Sequence, residues 1–449
     1  MINFNDEILN LIKKPAKDYE AYIVGGYLRN YFINNKISCD RNKISCDRDI
    51  VIRENAERFA GEIANLLDAT FIELDRENKI YRVVLKDKEN YFDIAQAVEN
   101  DILKDALRRD FTINSIFYDL NKEEIFDPLD GIGDIKNKIL RTSNLNNFID
   151  DPLRFLRLYR FYSKTAFKID EKLLDFTKQN FYKISSAAPE RINYEIMQIF
   201  EAEYTPETLE KMYDDGVLEI VFPFVKEIKR IPPNSHHHLD LIHHSIETVR
   251  NIRTNKPLLK LSAFYHDIGK PATWTIEPVG RHRFIGHDIK GGELVKQELE
   301  KLKFSNKQIA YVSKMVRFHI YPASLINIEK DKTKKAYARF VKKLGSDTPD
   351  IIELSRADRL SARGEAVSNE MINMALSHLD NLLNYYNEVK DTVEEPKTFL
   401  DGKEIMEILN IKPSKTVGII LDKLKEAQIL KEINSKEEAI DFIKNNHKN

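Results

Sequence analysis

Two carboxylates separated by one residue, Asp47 and Asp49, stand directly before the apolar residues 50–52. In a β-strand, residues i and i+2 point to the same face, so both carboxylates would share one side of a strand. Two carboxylates in this arrangement can hold a pair of divalent cations, which activate an attacking hydroxyl and bind the triphosphate of an incoming nucleotide. The acidic pair therefore predicts a metal site that works on a nucleoside triphosphate.

Other residues near the pair fit the same chemistry. Gly25 and Gly26 precede a predicted helix, where backbone N–H groups can approach a phosphate closely, and Arg29 follows them. Asp93, on a later predicted strand, is a candidate third carboxylate.

A tandem repeat of seven residues ends at the acidic pair, because residues 36–42 read KISCDRN and residues 43–49 read KISCDRD. Asp40 of the first copy is a competing candidate, but Asn42 stands where the second acid should be and no apolar strand follows. Asp47 and Asp49 are therefore preferred. The repeat is interpreted as a loop insertion, and whether it impairs catalysis is left open.

Residues 108–114 (RRDFTIN) combine arginines with polar acceptors. A helix would place Asp110 and Asn114 on one face. Such side chains hydrogen-bond ribose hydroxyls, while arginines bind phosphates. An ordinary capped helix with an Arg–Asp pair explains the segment equally well when it is considered alone.

Residues 150–157 (DDPLRFLR) predict the start of another helix, with Pro152 in its first turn and Asp151 at its N-cap. Arg154 follows Asp151 by three residues, so the two side chains would be adjacent. A carboxylate and a guanidinium together offer acceptors and donors to the edge of a base. An N-cap with a salt bridge is the simpler interpretation of this segment in isolation.

Histidines are concentrated between residues 236 and 319, and imidazole and carboxylate groups suit Mn²⁺, Ni²⁺, Co²⁺ or Fe²⁺. A metal held there would activate water against a phosphate ester. The candidate ligands are His244, His266, Asp267, His287, His319 and Asp358.

The elements that carry these residues change along the chain. Between about residues 20 and 120, short strands at 22–24, 50–52, 71–74, 81–85 and 91–94 alternate with helical patterns such as 56–67, which predicts a mixed α/β region. After residue 150 a period of 3.6 predicts helices at 151–163, 173–181, 189–200, 239–252 and 258–269. The residues at 269–271 (GKP) predict a helix stop.

Composition limits the class of protein. A length of 449 residues suggests three or four domains, and the net charge of −2 excludes a uniformly basic nucleic-acid binder. The lysine-rich residues 330–343 are interpreted as a solvated helix face. Two cysteines exclude a disulfide framework. No signal peptide or membrane-length apolar run is recognised, so a cytoplasmic protein is expected.

Taken in order, the motifs GGYLR, DRDIVI, DIAQ, RRDFTINSIFYD, FDPLDGIGDIKNKILRT and DDPLRFLRLYRF resemble the class II CCA-adding enzymes and the related bacterial poly(A) polymerases. The resemblance covers about residues 20–200. It implies metal binding by Asp47 and Asp49, with Asp93 as a further catalytic candidate. It also implies ribose and phosphate binding by Arg109, Asp110 and Asn114, and templating of C and A by Asp151 and Arg154. The further candidates for nucleotide binding are Gly25, Gly26, Arg29, Arg108 and Arg157. Relatives usually begin the last motif with Glu-Asp, where this chain has Asp150 and Asp151.

The tetrapeptide HDIG at residues 266–269 resembles the HD phosphohydrolase superfamily. The resemblance implies His244, His266, Asp267 and Asp358 as ligands of one metal, with His287 and His319 completing the site. All these positions are filled, which favours an active centre. The segment beginning at Phe399 resembles the C-terminal unit with which CCA-adding enzymes hold the tRNA body.

The expected fold is therefore multidomain α+β: a polymerase-β-like nucleotidyltransferase α/β head (1–143), an all-α neck (144–230), an HD domain (235–365) and a helical tail (366–449). The expected function is addition of C, C and A to the tRNA 3′ end from CTP and ATP with Mg²⁺, by a monomer or dimer. Residues 74–82 resemble a loop that relatives adding only CC lack, which favours addition of the terminal A. The alternatives are a poly(A) polymerase and an HD phosphohydrolase with an inactive head.

Overall fold

The computed structural model describes residues 6–34, 48–232, 240–278, 280–362, 368–394 and 398–446. Asp47 and the repeat up to that residue lie outside the described residues. Contacts divide the chain into two compact units, the first of Met1–Tyr204 with Asp215–Val217 and the second of Thr205–Asp214 with Leu218–Asn449. The four predicted domain boundaries remain a prediction.

The first unit mixes strands and helices. Its elements are α1 (Glu7–Ala16), β1 (Ala21–Val24), α2 (Gly26–Asn34), β2 (Arg48–Ile52), α3 (Ala56–Leu66), β3 (Thr70–Asp75), β4 (Ile80–Val84), β5 (Tyr91–Gln96), α4 (Ile102–Leu107), β6 (Phe117–Asp119), β7 (Glu124–Phe126), α5 (Gly131–Asn137), β8 (Ile139–Leu140), α6 (Asn147–Asp150), α7 (Leu153–Thr165), β9 (Lys168–Ile169), α8 (Glu171–Asn180) and α9 (Pro189–Glu201). Short 3₁₀ turns occur at Val98–Asn100, Thr112–Asn114 and Phe181–Ser186.

Seven strands form one sheet in the order β3-β4-β5-β2-β1-β6-β7. The pairing of β2 with β5 is parallel, and the other pairings are antiparallel. The predicted mixed α/β head is confirmed, as is the hairpin of β3 and β4, whose turn is residues 76–79. The apolar part of β2 is buried because the strand lies inside the sheet, between β5 and β1.

The second unit is helical apart from one small hairpin. Its elements are α10 (Thr205–Asp214), α11 (Leu218–Val221), α12 (Phe224–Ile228), α13 (Leu241–Asn251), α14 (Pro257–Tyr265), α15 (Lys270–Thr273), β10 (Thr275–Ile276), β11 (His282–Arg283), α16 (His287–Lys301), α17 (Asn306–Phe318), α18 (Tyr321–Ser324), α19 (Lys330–Leu344), α20 (Thr348–Ser361), α21 (Asn369–Glu394), α22 (Gly402–Leu409), α23 (Lys415–Ile429) and α24 (Lys436–Asn446).

The predicted helices after residue 150 are confirmed with small shifts of their ends, but the stop at residues 269–271 is wrong. Helix α14 already ends at Tyr265, and α15 begins at Lys270 with Pro271 in its first turn. Proline is tolerated there because the first N–H groups of a helix have no intrahelical acceptor.

Helix α13 packs against α14 and α20, and α17 packs against α14 and α16. Three of the predicted metal ligands lie in these helices, and the other three directly follow one of them: His244 is in α13, His287 begins α16, Asp358 is in α20, His266 and Asp267 follow α14, and His319 follows α17. Within the described residues, no helix combines the length and apolar composition needed to cross a bilayer.

Candidate active sites

Asp49 of β2 faces Asp93 of β5 in the parallel register of the two strands. Register partners on neighbouring strands point to the same face, so the structure brings these two carboxylates together. Arg82 of β4 donates to both oxygens of Asp93, with Nε–Oδ1 and Nη2–Oδ2 distances of 2.6 and 2.7 Å. Asp93 can therefore bind a cation only by sharing an oxygen with that guanidinium.

Gly25 lies next to the Asp49 carboxylate because β1 and β2 pair at this point. Its φ of +77° is a left-handed conformation, and a Cβ at this position would lie 2.7 Å from Oδ2 of Asp49. Only glycine meets both conditions. Helix α2 begins at the next residue, Gly26, so the free backbone N–H groups of its first turn lie close to the Asp49 carboxylate.

A chain of hydrogen bonds runs from α2 to α7. Arg29 Nη1 donates to Asn114 Oδ1 at 2.7 Å, and Asn114 Nδ2 donates to Asp110 Oδ1 at 2.8 Å. Arg157 donates from Nε and Nη2 to Asp110 Oδ2 at 2.9 and 2.6 Å. Burial alone would raise the pKa of Asp110, but Arg157 and Asn114 outweigh it and lower the pKa to about 2.

The helix predicted across residues 108–114 is wrong. Helix α4 ends at Leu107, and only residues 112–114 form a 3₁₀ turn. The Thr112 hydroxyl donates to Asp134 Oδ2 at 2.5 Å, and the Thr112 N–H donates to the Arg141 carbonyl at 3.0 Å. These bonds to a later segment replace helical ones. Asp110 and Asn114 are nevertheless hydrogen-bonded, because the 3₁₀ turn between them brings their side chains together.

Arg108 and Arg109 are both held by Asp105, a fully buried carboxylate that the sequence reasoning missed. Arg108 bonds to its Oδ1 at 2.6–2.9 Å and Arg109 to its Oδ2 at 2.8–3.0 Å. The spacings of three and four residues from Asp105 to these arginines, across the C-terminal end of α4, were a usable signal, because residues so spaced are neighbours on a helix.

Asp151 and Arg154 have different partners. Asp151 Oδ2 accepts from Arg191 of α9 at 2.9 Å, and Arg154 Nη1 donates to the Arg108 carbonyl at 2.7 Å. The predicted N-cap is also wrong by one residue, because α7 begins at Leu153 and Pro152 occupies the cap. The Asp151 carboxylate still accepts from the Leu153 N–H at 3.3 Å.

A second missed carboxylate is Glu195, whose side chain is 1% exposed. Its Oε2 lies 3.1 Å from Arg160 Nε, and its Oε1 lies 3.8 Å from Arg157 Nη1. Nearby, burial together with the charges of Arg160 and Arg29 lowers the pKa of Lys164 to about 8. Burial is the largest cause of this shift, and the two neighbouring guanidinium groups add to it.

In the second unit the structure brings all six predicted ligands together, but in two groups. One is His244, His266 and Asp358, and the other is Asp267, His287 and His319, each with its ligand atoms within 4.8 Å of one another. Asp267 Oδ2 lies 3.3 Å from His266 Nε2, and Oδ1 lies 3.5 Å from His287 Nε2. Asp267 Oδ2 also lies 3.8 Å from His244 Nε2, so Asp267 faces both groups, and the single-metal set of His244, His266, Asp267 and Asp358 stays a prediction.

The histidine tautomers fit a metal. His287 Nδ1 donates to the Phe284 carbonyl at 2.8 Å, and His319 Nδ1 donates to the Val316 carbonyl at 2.6 Å. The lone pairs of the two Nε2 atoms then point at each other, with 3.2 Å between the nitrogens. A cation between them would remove this repulsion, and backbone-held Nδ1 atoms are typical of histidine ligands. The Nδ1 of His266 is held likewise, by the Ala263 carbonyl at 2.7 Å.

Charge around the second site also favours a cation. Burial alone would lower the pKa of His266, but Asp267 and Asp358 raise it to about 10. The negative charges of these two carboxylates therefore favour a cation at this centre. Gly269 is needed next to this centre because a Cβ there would lie 2.0 Å from the His287 carbonyl oxygen.

Three protein families have models that match the chain: "Poly A polymerase head domain" at residues 21–141, "Probable RNA and SrmB- binding site of polymerase A" at 166–229, and "HD domain" at 235–363. The chain is 28% identical over 395 residues to the A-adding tRNA nucleotidyltransferase of Deinococcus radiodurans, covering 86% of this chain and 88% of that protein.

It is also 26% identical over 423 residues to the CC-adding tRNA nucleotidyltransferase of Synechocystis sp., covering 94% of this chain and 92% of that protein. The solved structure of the Bacillus stearothermophilus CCA-adding enzyme in complex with CTP matches with a TM-score of 0.65 at 17% identity, over 100% of this chain and 98% of that one. This structural likeness establishes the fold.

Proposed function

We propose that the chain is a class II CCA-adding enzyme with an HD domain, a nucleotidyltransferase that adds C, C and A to the 3′ end of tRNA. CTP and ATP are the substrates, and no nucleic-acid template takes part. The observation that supports this most is the facing of Asp49 and Asp93 beside Gly25 and the start of α2. We place the protein in the cytoplasm.

Asp49 would hold Mg²⁺ together with Asp47, which lies outside the described residues, and with Asp93. When bound, Mg²⁺ supplies activation of the attacking 3′-hydroxyl and neutralises the triphosphate. Gly25 allows the Asp49 carboxylate to lie against the turn into α2, so the N–H groups of this helix end are available to the triphosphate. Arg29 would reach the triphosphate by exchanging its contact with Asn30 for one with a phosphate oxygen.

The remaining groups would bind the sugar and the base. Asp110 and Asn114 have oxygens that can accept from ribose hydroxyls, and Arg157 and Arg29 fix these two side chains from either side. Asp151 and Arg154 present an acceptor and donors to the base edge. Since they have different partners in this structure, base reading requires them to exchange the Arg191 and Arg108 contacts for contacts to the nucleotide.

The test is incubation of purified protein with tRNA that lacks CCA, with Mg²⁺ and CTP, ATP or both, and with products resolved to single nucleotides. Three added nucleotides only with both substrates support the proposal. Addition of two C residues alone would restrict the proposed activity to CC addition. Addition of a single A, seen only on tRNA that already ends in CC, would restrict it to A addition. Long A tails would mean a poly(A) polymerase, and no extension would refute the proposal for the head.

A second activity is supported by the paired ligand groups of the HD domain. We propose that they bind a transition metal, Mn²⁺, Ni²⁺, Co²⁺ or Fe²⁺, and hydrolyse phosphate esters. Loss of both bound metal and phosphatase activity in Asp267→Ala supports this. Unchanged activity in that variant would refute it.

A further inference from the structure

A cleft of about 270 Å³ opens beside the two ligand groups of the second unit. Asp267, His287, His319 and Asp358 form part of its lining, so any molecule in the cleft would touch the proposed metal centre. The rest of the lining has two characters. Part of it is apolar and includes Ile320, Ile326 and Leu379, here called the apolar wall, and part is cationic, with Lys270 and Arg359.

Arg359 is the cation of this cleft that nothing in the described part of the chain neutralises. Its Nε is buried and has no hydrogen-bond partner there. The other two basic side chains beside the ligands have partners. Lys270 Nζ forms an ion pair with Asp267 Oδ2 at 2.6 Å, and His378 bonds through Nδ1 to the Tyr337 hydroxyl and through Nε2 to the Pro322 carbonyl, each at 3.0 Å.

A buried N–H group without an acceptor is unfavourable, and the loss is recovered when an acceptor arrives. Arg359 directly follows the ligand Asp358 on α20 and lines the same cleft. An anion bound there would therefore contact the metal centre and the guanidinium together. Guanidinium groups match the geometry of phosphate oxygens, with two parallel N–H donors.

We infer that Arg359 anchors the phosphate of the HD-centre substrate, and that the apolar wall binds the rest of it. The substrate is then a phosphate monoester of a flat or apolar alcohol. In its hydrolysis the water oxygen bonds to phosphorus, the ester P–O bond breaks, and the departing alcohol oxygen takes a proton from the water. The inference rests on the proposed phosphohydrolase function.

The experiment uses the full-length, metal-loaded protein and three variants, Arg359→Gln, Arg359→Lys and the control Lys296→Gln. Lys296 lies on α16 with its side chain 60% exposed. The readouts are metal content, KM and kcat with p-nitrophenyl phosphate and with glycerol 3-phosphate, and calorimetric binding of inorganic phosphate.

We expect Arg359→Gln to keep its metal, to raise KM for p-nitrophenyl phosphate about tenfold or more, and to weaken phosphate binding by a similar factor. Arg359→Lys should recover part of the loss, and Lys296→Gln should match the wild type. The aryl ester should be used with a higher kcat/KM than glycerol 3-phosphate.

Unchanged KM and phosphate affinity in a metal-loaded Arg359→Gln protein would contradict phosphate binding by Arg359. Equal kcat/KM for the two esters would contradict binding of the alcohol part by the apolar wall. Failure of the proposed function is distinguishable. Wild-type protein that hydrolyses neither ester but binds phosphate through Arg359 would retain the anchor and lose the hydrolase, whereas absence of phosphate binding would remove both.

Discussion

Asp6 and Arg48 form a buried ion pair behind the acidic motif, with Nε–Oδ2 and Nη2–Oδ1 distances of 2.9 and 3.1 Å. Arg48 precedes Asp49 on β2, so its side chain points to the opposite face of the strand. The same Asp6 carboxylate caps α1 and accepts from the Tyr27 hydroxyl of α2 at 2.9 Å. One carboxylate thus joins α1, α2 and the strand that carries the predicted metal ligand.

Replacing Asp6 should therefore loosen the head. In Asp6→Asn we expect the free energy of unfolding to fall by about 3 kcal/mol, because the buried Arg48 guanidinium would lose its carboxylate counter-charge. The side chains of the pair are only 4% and 6% exposed. Chemical unfolding measures the effect, with the exposed Asp18→Asn as a control of equal charge change. Equal stability of the two variants would contradict the role given to Asp6.

Gly25→Ala should disable nucleotide addition without unfolding the chain. The new Cβ would displace the Asp49 carboxylate, and a displacement of this size at a catalytic group costs about a hundredfold in rate. Rates of nucleotide incorporation measure this loss, and HD-centre activity should be unchanged. Gly61→Ala is the matched control, because nothing lies within 4 Å of a Cβ there and its position inside α3 favours alanine. Retained activity in Gly25→Ala would show that Asp49 is not placed by this contact.

The ion pair of Asp110 and Arg157 should make the free energy of unfolding depend on pH in the acidic range. Arg157 and Asn114 lower the pKa of Asp110 in the folded protein from its ordinary value of 3.8 to about 2, so its contribution to stability is present above pH 3.8 and is lost as pH falls toward 2. The difference in unfolding free energy between wild type and Asp110→Asn should shrink by about 2 kcal/mol over that window. Urea unfolding at several pH values tests this. A difference that stays constant below pH 4 would contradict it.

The two ligand groups of the HD domain predict two bound ions per chain. After chelation and reloading with Mn²⁺, we expect elemental analysis to find two ions in the wild type and a reduced content in both His244→Ala and His319→Ala. His243→Ala is the control, because this neighbouring histidine bonds to Asp240 and belongs to neither group. A single ion in the wild type would show that the six residues form one site.

Sequence periodicity was enough for the long elements but not for the short ones. Strands β2 and β5 carry apolar runs and were predicted, whereas β6 and β7 have three residues each, too few for an alternating pattern to show. The helix predicted at residues 108–114 was wrong because Thr112 bonds to Asp134 and Arg141, which a local pattern does not reveal.

The missed residues of the candidate sites are all buried carboxylates that hold arginines. Asp105 was accessible to prediction through its helical spacing to Arg108 and Arg109. Asp6 and Glu195 were not, because they lie 42 and 35 residues from Arg48 and Arg160 along the chain and meet them only in the folded protein. The grouping of the six HD ligands likewise depends on the packing of separate helices and not on spacing.

The most direct test of the account is single-nucleotide extension of tRNA lacking CCA by the wild type and by Asp49→Asn, with Mg²⁺, CTP and ATP. We expect the wild type to add three nucleotides. Asp49→Asn should add them at a rate at least about a hundredfold lower, while its melting temperature remains that of the wild type. Full extension by Asp49→Asn, or none by the wild type, would contradict the assignment of this head as the nucleotide-adding site.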